Sequence, residues 1–424
     1  MPQKTYLEEK FMLFLGSKFT HSQKERKVYK YEKQQISMVM QRNFKYRIYP
    51  SKRQEVRLNR HISDCCFVYN KLLENKVNAY KEDKKNLSQF DLNKLTKEID
   101  VQIHSQVKQN ISKRINDSFK HFFRRVKEKR GKAGFPRFKS FNRYKSITFP
   151  QSGFKFISDK KLYLSKIGNI DIVLHRIIKG KVKTLTIKRS VDKWYVIFSC
   201  EGVVIDKIKP QEEKIGIDVG LESFAALSNG EKIENPKFFR KSENQLAKLQ
   251  RRLSKKKKGS KNRQKARLKA ARQHEKIFNQ RNDFLHNKTA EIVRRFKVIA
   301  VEELNVKGMM KNRHLAKSIA DASWSRFVQM LSYKVENTDG KVELINPKYT
   351  SQICSSCGHK QKMPLNKRTY KCEKCKVEID RDLNSAININ TSGQGEFQAD
   401  GQNIRPLEIK ATLNEVGSYR GESV

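Results

Sequence analysis

The chain has 424 residues, of which 92 are Lys or Arg and 44 are Asp or Glu, a formal net charge of +48. That excess repels itself in a compact fold unless a polyanion neutralises it, so nucleic acid is the expected partner and binding should weaken with salt. No run approaches the roughly 18 apolar residues of a membrane-spanning helix, no lipidation signal stands at either end, and the apolar patch at 11–15 is too short for a signal-peptide core. Membrane is therefore excluded as a partner.

Residues 1–39 are polar, Lys-rich and weakly patterned and read as an N-terminal extension. At 40–51 the character changes. NFKYRIYP alternates and is rich in aromatic and β-branched residues, which predicts a strand ending at Pro50. Ser51 is a suitable N-cap for a helix beginning at the next residue. Residues 52–130 form a basic helical module, with Val56, Leu58, Ile62, Cys66, Val68, Leu72 and Leu73 at helical spacing and a second helix through 111–126. The stretch 82–87 is a natural break. In QVKQN, Gln106 and Gln109 share a helical face; their amides can read adenine edges or simply face solvent.

Residues 131–213 open on GKAGFPRFKS, where Phe135 and Phe138 interleave with Arg137 and Lys139. This is either a nucleic-acid contact or a packed turn. Short alternating segments come next (SITFP, FKFI, KLYL, IDIVL, KVKTLTIKR, KWYVIFSCEG), separated by turn residues, and predict a small β-barrel that the 43–49 strand joins. Residues 214–350 read as an α/β domain. KIGIDVG is a buried strand, LESFAALSNG with EKIEN its return hairpin, FKVIAVEEL a second buried strand, 323–335 an amphipathic helix and KVELINP a further strand. Between them, 240–276 hold sixteen Lys or Arg and only Glu243 and Glu275 as acids, and read as two basic helices joined at KKKKGSK. A charge run of this kind either tracks a phosphate backbone or is a solvated face. The tail 393–424, with five acidic and three basic residues, has a linker-like composition.

Two features carry chemistry. Cys354, Cys357, Cys372 and Cys375 form two Cys-x-x-Cys pairs separated by fourteen residues, within a segment 351–378. Four thiolates close a tetrahedral Zn²⁺ site with no position left for substrate, so the zinc is structural. The other three cysteines (Cys65, Cys66, Cys200) lack framework spacing and read as small hydrophobes, in keeping with a reducing cytoplasm. The second feature is three acids in apolar or helical settings: Asp218 in IGIDVG, Glu302 ending VIAVE, and Asp382 opening DLNSAININ within 379–392. A carboxylate in an apolar strand is costly unless it is paired, protonated or metal-bound. Three of them on one α/β domain can converge on two Mg²⁺ (or Mn²⁺) ions about 3.5–4 Å apart, as in phosphodiester hydrolysis. The order of elements is that of RNase H-like nucleases.

The motifs FKYRIYP (44–50), FVYNKLLE (67–74), GFPRFK (134–139), GIDVGLESFAALS (216–228), VEELNVKGM (301–309), YTSQICSSCG (349–358) and DRDLNSAIN (380–388) stand in family order. Over residues 40–390 the chain resembles TnpB, the RuvC-type protein of bacterial insertion sequences and relative of type V CRISPR effectors. The resemblance implies a multidomain α/β protein: an RNase H-like RuvC nuclease with a zinc-finger insertion, a β-barrel wedge domain and a helical recognition domain. It implies an RNA-guided DNA endonuclease that works in the bacterial cytoplasm at the nucleoid, with a guide RNA encoded near its own gene, double-stranded target DNA beside a short duplex motif, and one or two copies per RNA. A guided DNA-binding regulator, or a CRISPR-like effector derived from a transposon nuclease, is the alternative. By motif position Asp218, Glu302 and Asp382 are the catalytic, magnesium-holding acids. The register E-x-L-N selects Glu302 over Glu303, and D-x-N-x-A selects Asp382 over Asp380. Because FKYRIYP usually lies near the family's start, a chain beginning at Met40 is expected to remain active.

Overall fold

The computed structural model describes residues 38–128, 133–205, 207–364 and 366–392. The expectations for 1–37, for the boundary near 131 and for the tail 393–424 lie outside those residues.

The first lobe is an antiparallel sheet with three helices. Its strands are β1 (Met38–Tyr49), β2 (Ser146–Pro150), β3 (Phe154–Ser158), β4 (Lys161–Leu164), β5 (Gly168–Val173), β6 (Lys181–Ser190) and β7 (Lys193–Ile205), in spatial order β2-β6-β7-β1-β5-β4-β3. The first strand thus joins the later ones across the helical insertion, as its alternation suggests. The predicted barrel is a curled sheet whose ladder stays open between β2 and β3. These edges are three residues apart in sequence, and the ring of Phe156 on β3 lies 5.2 Å from that of Phe198 on β7, so the sheet folds over its own core. β1 also starts earlier than its pattern shows: Met38 pairs with Ile205 and Val39 with Val204. A chain beginning at Met40 would lose these two ladder positions.

Helices α1 (Lys52–Asp83), α2 (Gln89–Glu98) and α3 (Ser105–Lys127) cover the sheet. Ser51 caps α1 in a reciprocal box: its hydroxyl accepts from the Gln54 amide and Gln54 Oε1 accepts from the Ser51 amide. The short helix α2 has no counterpart among the expected elements because it buries only Leu92 and Thr96, too few positions to show a period; its Ser88–Asp91 capping box fixes its start. Leu58, Cys65, Leu72, Ile111 and Ile115 from the helices share one apolar core with Tyr46, Phe149, Leu185 and Phe198 from the sheet. Segments 52–130 and 131–213, expected as separate domains, therefore bury a common interior.

The second lobe contains β8 (Glu212–Val219), β9 (Ser223–Leu227), β10 (Lys232–Glu234), α4 (Phe238–Ser254), α5 (Lys261–Arg295), β11 (Phe296–Glu302), α6 (Val306–Met309), α7 (Ala316–Ala322), α8 (Trp324–Val335), β12 (Lys341–Ile345), β13 (Thr369–Lys371), β14 (Glu378–Asp380) and α9 (Arg381–Ser392). Its main sheet runs β10-β9-β8-β11-β12. The first three strands form an antiparallel meander, and β11 and β12 add in parallel to β8. This is the RNase H-like arrangement. Alternation gives the two faces different jobs. Ile215, Ile217, Ile299 and Val301 pack against Leu285 and Ile292 of α5 and Phe327 and Leu331 of α8. On the opposite face Ala300 and Ile345 meet Ile389 of α9.

Gly216 sets how closely α9 approaches. A Cβ there would lie 2.1 Å from the Ala386 carbonyl oxygen and 2.6 Å from the Asn390 amide, backbone atoms that no rotamer can move aside. The helix therefore rests directly on β8. The two lobes keep separate cores and meet through polar contacts, among them Ser190 to Glu275 at 2.8 Å and Arg272 to Asp192 at 2.5 Å.

Candidate active site

Asp218 shares a face of β8 with Gly216, two residues earlier, so its side chain points toward α9. The parallel register sets Val301 beside Ile217, which places Glu302 and Asp218 at the next step of neighbouring strands. Glu302 lies on the same face as Ala300, again the α9 side. Ala386 of α9 sits over Gly216. One helical turn before it is Asp382, which brings the third acid to the same end of the sheet.

The electrostatics agree with this convergence. Burial raises the Asp218 carboxyl well above the usual carboxylate range, and the neighbouring charges of Glu302 and Asp382 raise it further, with Arg381 opposing. Burial also raises Glu302, against a 2.6 Å hydrogen bond donated by Thr350 Oγ1 to its Oε1. Asp382 Oδ1 accepts from Arg381 Nη2 at 3.0 Å, and Arg368 Nη1 lies 3.7 Å from its Oδ2. Any cation bound at Asp382 competes with these two guanidinium groups. The donors are all hard oxygens, a set that fits Mg²⁺ or Mn²⁺.

The neighbouring acids do other work. Glu303 is exposed, and its amide donates to the Ile345 carbonyl at 2.8 Å, which extends the β11–β12 pairing. Asp380 caps α9. Its Oδ1 accepts from the amides of Asp382 and Leu383, both at 3.1 Å, and its Oδ2 from Lys232 Nζ at 2.8 Å. Burial pushes its carboxyl up, but Lys232 and those amides together hold it below its ordinary value. We expect Asp382→Ala to abolish cleavage. Asp380→Ala should remove a cap worth about 0.5–2 kcal/mol and retain measurable cleavage. Parallel cleavage assays and melting curves of the two variants check this, and equal loss of cleavage at unchanged stability would contradict it.

The four cysteines meet in one cluster, with Sγ atoms all within 4.8 Å of one another; among the described residues it is the only group of three or more His, Cys, Asp or Glu side chains close enough together to hold a metal ion, and the carboxylates of Asp218, Glu302 and Asp382 share one end of the sheet without being drawn together as tightly. The Cys354–Cys375 and Cys357–Cys372 sulfurs are 3.6 Å apart. That is far too long for a disulfide and close to the edge of about 3.8 Å expected for a tetrahedron with ~2.3 Å Zn–S bonds. Both knuckles turn alike. Gly358 and Lys376, each following the second cysteine of a pair, take positive φ, and their amides donate to the carbonyls of Cys354 and Cys372. Burial pushes the Cys372 thiol up, but the amides of Cys375 and Lys374 bring it down to about 6, while against the Val377 amide burial and the neighbouring sulfurs push Cys375 up to about 12, so the four thiols share their protons unevenly and the tetrahedral spacing is what favours zinc. Zinc therefore fits these residues.

The proposed nucleic-acid residues separate into two groups. Gln106 Oε1 accepts from the Ser152 amide at 2.9 Å, tying α3 to the β2–β3 link, whereas Gln109 is exposed. Phe135 packs edge-on against Phe119 and Phe122. Lys139 has its ammonium 4.3 Å from the centre of the Tyr69 ring, and its backbone is held on both sides by the Asn70 amide. Burial, then Arg114, lowers its pKa. Phe135, Lys139 and Gln106 thus have structural partners, while Arg137 and Phe138 point outward. Thr350, Arg368, Arg381, Asn384 and Asn388 do not stand out in the sequence as site residues. Their one signal is that most of them fall inside motifs whose weight rests on other residues.

An RNase H-like sheet with three acids at one end, and a four-cysteine ribbon inserted ahead of the last helix, places the chain in the class of RuvC-type folds. Three family models match it: "Probable transposase" over residues 197–313, "Cas12f1-like, TNB domain" over 324–389 and "Helix-turn-helix domain" over 38–85. The last stretch folds here as β1 followed by the single long helix α1. A Streptomyces pristinaespiralis protein described as a putative RNA-guided DNA endonuclease is 34% identical over 381 residues, covering 87% of this chain and 92% of the relative. The Escherichia coli (strain K12) putative RNA-guided DNA endonuclease InsQ is 30% identical over 398 residues, covering 87% and 97%. A cryo-EM structure of a Cas12f1–sgRNA–target DNA complex shares the fold, with a TM-score of 0.53 at 15% identity over 83% of this chain and 98% of that one. The chain belongs to the TnpB family.

Proposed function

We propose that the protein is an RNA-guided DNA endonuclease that hydrolyses phosphodiesters at the end of the β8–β11 sheet. The observation that carries this reading is the convergence of Asp218, Glu302 and Asp382 on one end of an RNase H-like sheet, with the carboxyls of Asp218 and Glu302 pushed up by burial. Divalent metal, held by these three residues, would supply charge neutralisation and water activation for in-line displacement. Asp218 and Glu302 supply fixed oxygen donors from neighbouring strands, and Asp382 supplies a third from a helix seated by Gly216. Arg368 and Arg381 hold positive charge beside Asp382, where a phosphate oxygen would lie. The +48 net charge and the exposed Lys255–Lys258 turn between α4 and α5 give the protein a phosphate-tracking surface. Outward-facing Phe138 and Arg137 provide a stacking and a phosphate contact. In this reading base pairing with a guide RNA selects the sequence, and the protein holds the heteroduplex by shape and backbone.

The test is purification with RNA transcribed from the DNA flanking the gene, followed by incubation with a plasmid library and Mg²⁺. Cutting should follow the guide sequence and a fixed neighbouring duplex motif; cutting indifferent to the RNA would overturn the reading. A strand-transfer activity, suggested by the transposase description of one matching family model, would show itself as joined strands instead of free ends.

A further inference from the structure

After β12 the chain passes over the end of β11 on its way into the cysteine ribbon. Tyr349 takes φ +67, a conformation that costs a bulky residue energy, and its carbonyl accepts from the amides of Gln352 and Ile353 at 2.8 and 3.1 Å. This tight turn points the buried Thr350 back at the sheet. The Thr350 hydroxyl lies 2.6 Å from Glu302 Oε1 and 3.4 Å from the Pro347 carbonyl; the short contact takes the single proton. Two asparagines of α9, one turn apart and both buried, hold the turn from the other side. Asn388 Nδ2 donates to the carbonyls of Thr350 and Ile353 at 2.8 and 2.7 Å. Asn384 Nδ2 donates to the same Ile353 carbonyl at 2.7 Å, and its Oδ1 accepts from the Ser355 amide at 2.9 Å. Asn388 Oδ1 has no partner among the described residues, a cost in a buried site that apolar side chains would avoid.

We propose that Thr350, braced by Asn388 and Asn384, is the positioning residue that orients the Glu302 carboxylate, so that ribbon, α9 and the second acid form one mechanical unit. The inference rests on the reading of Glu302 as a metal-holding acid. The hydroxyl removes one of Glu302's rotational choices and keeps one carboxylate lone pair occupied, leaving the others aimed at the site. The same helix carries Asp382 one turn before Ala386. A shift of α9 therefore moves one acid directly and a second through Thr350, which keeps the two in step.

The experiment compares zinc-loaded wild type, Thr350→Val, Thr350→Ser and Glu302→Gln. Mn²⁺ affinity is read by electron paramagnetic resonance without nucleic acid, alongside guided cleavage, zinc content and melting temperature. Thr350→Val should lower Mn²⁺ affinity and cleavage together by roughly 10- to 100-fold. Zinc content should be unchanged, and Thr350→Ser should restore both readouts. Wild-type Mn²⁺ affinity in Thr350→Val overturns the proposal, as does Thr350→Ser behaving like Thr350→Val. If Thr350→Val fails to fold, Thr350→Ala against Thr350→Ser, which differ by the hydroxyl alone, makes the same decision. Glu302→Gln separates the two levels: wild-type Mn²⁺ binding in that variant would remove the metal reading of Glu302 itself. Loss there with none in Thr350→Val would remove only the positioning role.

Discussion

Asp218→Asn should abolish guided cleavage and, at neutral pH, raise the melting temperature of the zinc-loaded protein in the absence of Mg²⁺ and Mn²⁺. Both effects have one origin. Burial, then the charges of Glu302 and Asp382, holds the Asp218 carboxyl well above the usual range. A carboxyl whose folded-state pKa is raised favours folding below its unfolded value, and that contribution is lost as pH rises through the folded value. As pH rises above the unfolded value, holding Asp218 among two other acids costs either a proton taken up on folding or a buried charge, and the neutral amide relieves both. The melting difference should grow from acid toward neutral pH. The same protonation competes with metal, so wild-type cleavage should rise with pH through the raised value. A divalent metal contributes several kcal/mol to the transition state, and each ~1.4 kcal/mol is tenfold, so the expected loss of rate is on the order of a thousandfold or more. Cleavage retained in Asp218→Asn would refute the site assignment. A melting temperature that stays level or falls at neutral pH would refute the electrostatic account.

Removing zinc, by chelation or by Cys354→Ser with Cys357→Ser, should unfold the ribbon and abolish cleavage while both lobes stay folded. The ribbon's own core is Cys354, Tyr370 and Cys372, with two three-residue strands around it. So small a core does not hold a fold by burial alone, whereas structural zinc contributes about 10 kcal/mol or more in isolated fingers. The ribbon also seats the nuclease end of the sheet. Arg368 bridges from Glu222 to Asp382, its carbonyl accepts from the Arg381 amide at 2.8 Å, and Ser355 is bound to Asn384. Without zinc these ties are lost, and excess Mg²⁺ should not restore cleavage. Circular dichroism with metal analysis and cleavage rates checks this; a zinc-free protein that cuts at the wild-type rate would contradict it.

The candidate site stands out in the sequence because the residues that compose it are unusual in their places. Paired cysteines at two-residue spacing have few uses, and an acid inside IGIDVG or VIAVE stands out against the apolar strand that carries it. The order of elements along the second lobe followed from the same runs, and their spatial order in the sheet came from the structure. The choice between Asp380 and Asp382 came from motif register, and only the structure gives a physical reason: the helix amides of Asp382 and Leu383 take Asp380 as their cap. Other features left no local trace. The common core of helices and curled sheet in the first lobe joins residues more than a hundred positions apart. For Lys139 the sequence left a nucleic-acid contact and a packed turn equally open; only the fold shows that its ammonium lies against Tyr69, on a helix seventy residues earlier.

The sequence by itself determined the two paired-cysteine motifs, the order of elements in the second lobe and the expectation of a polyanionic partner, since each depends on residue type, spacing or net charge. Tertiary structure alone decided which side chains are held and by what: α9 lying on Gly216, Asp380 capping while Asp382 faces the site, and Thr350 reaching Glu302. Those contacts span 48 residues between Thr350 and Glu302 and 170 between Gly216 and Ala386. A buried hydroxyl or a missing Cβ acts only on what the fold brings against it.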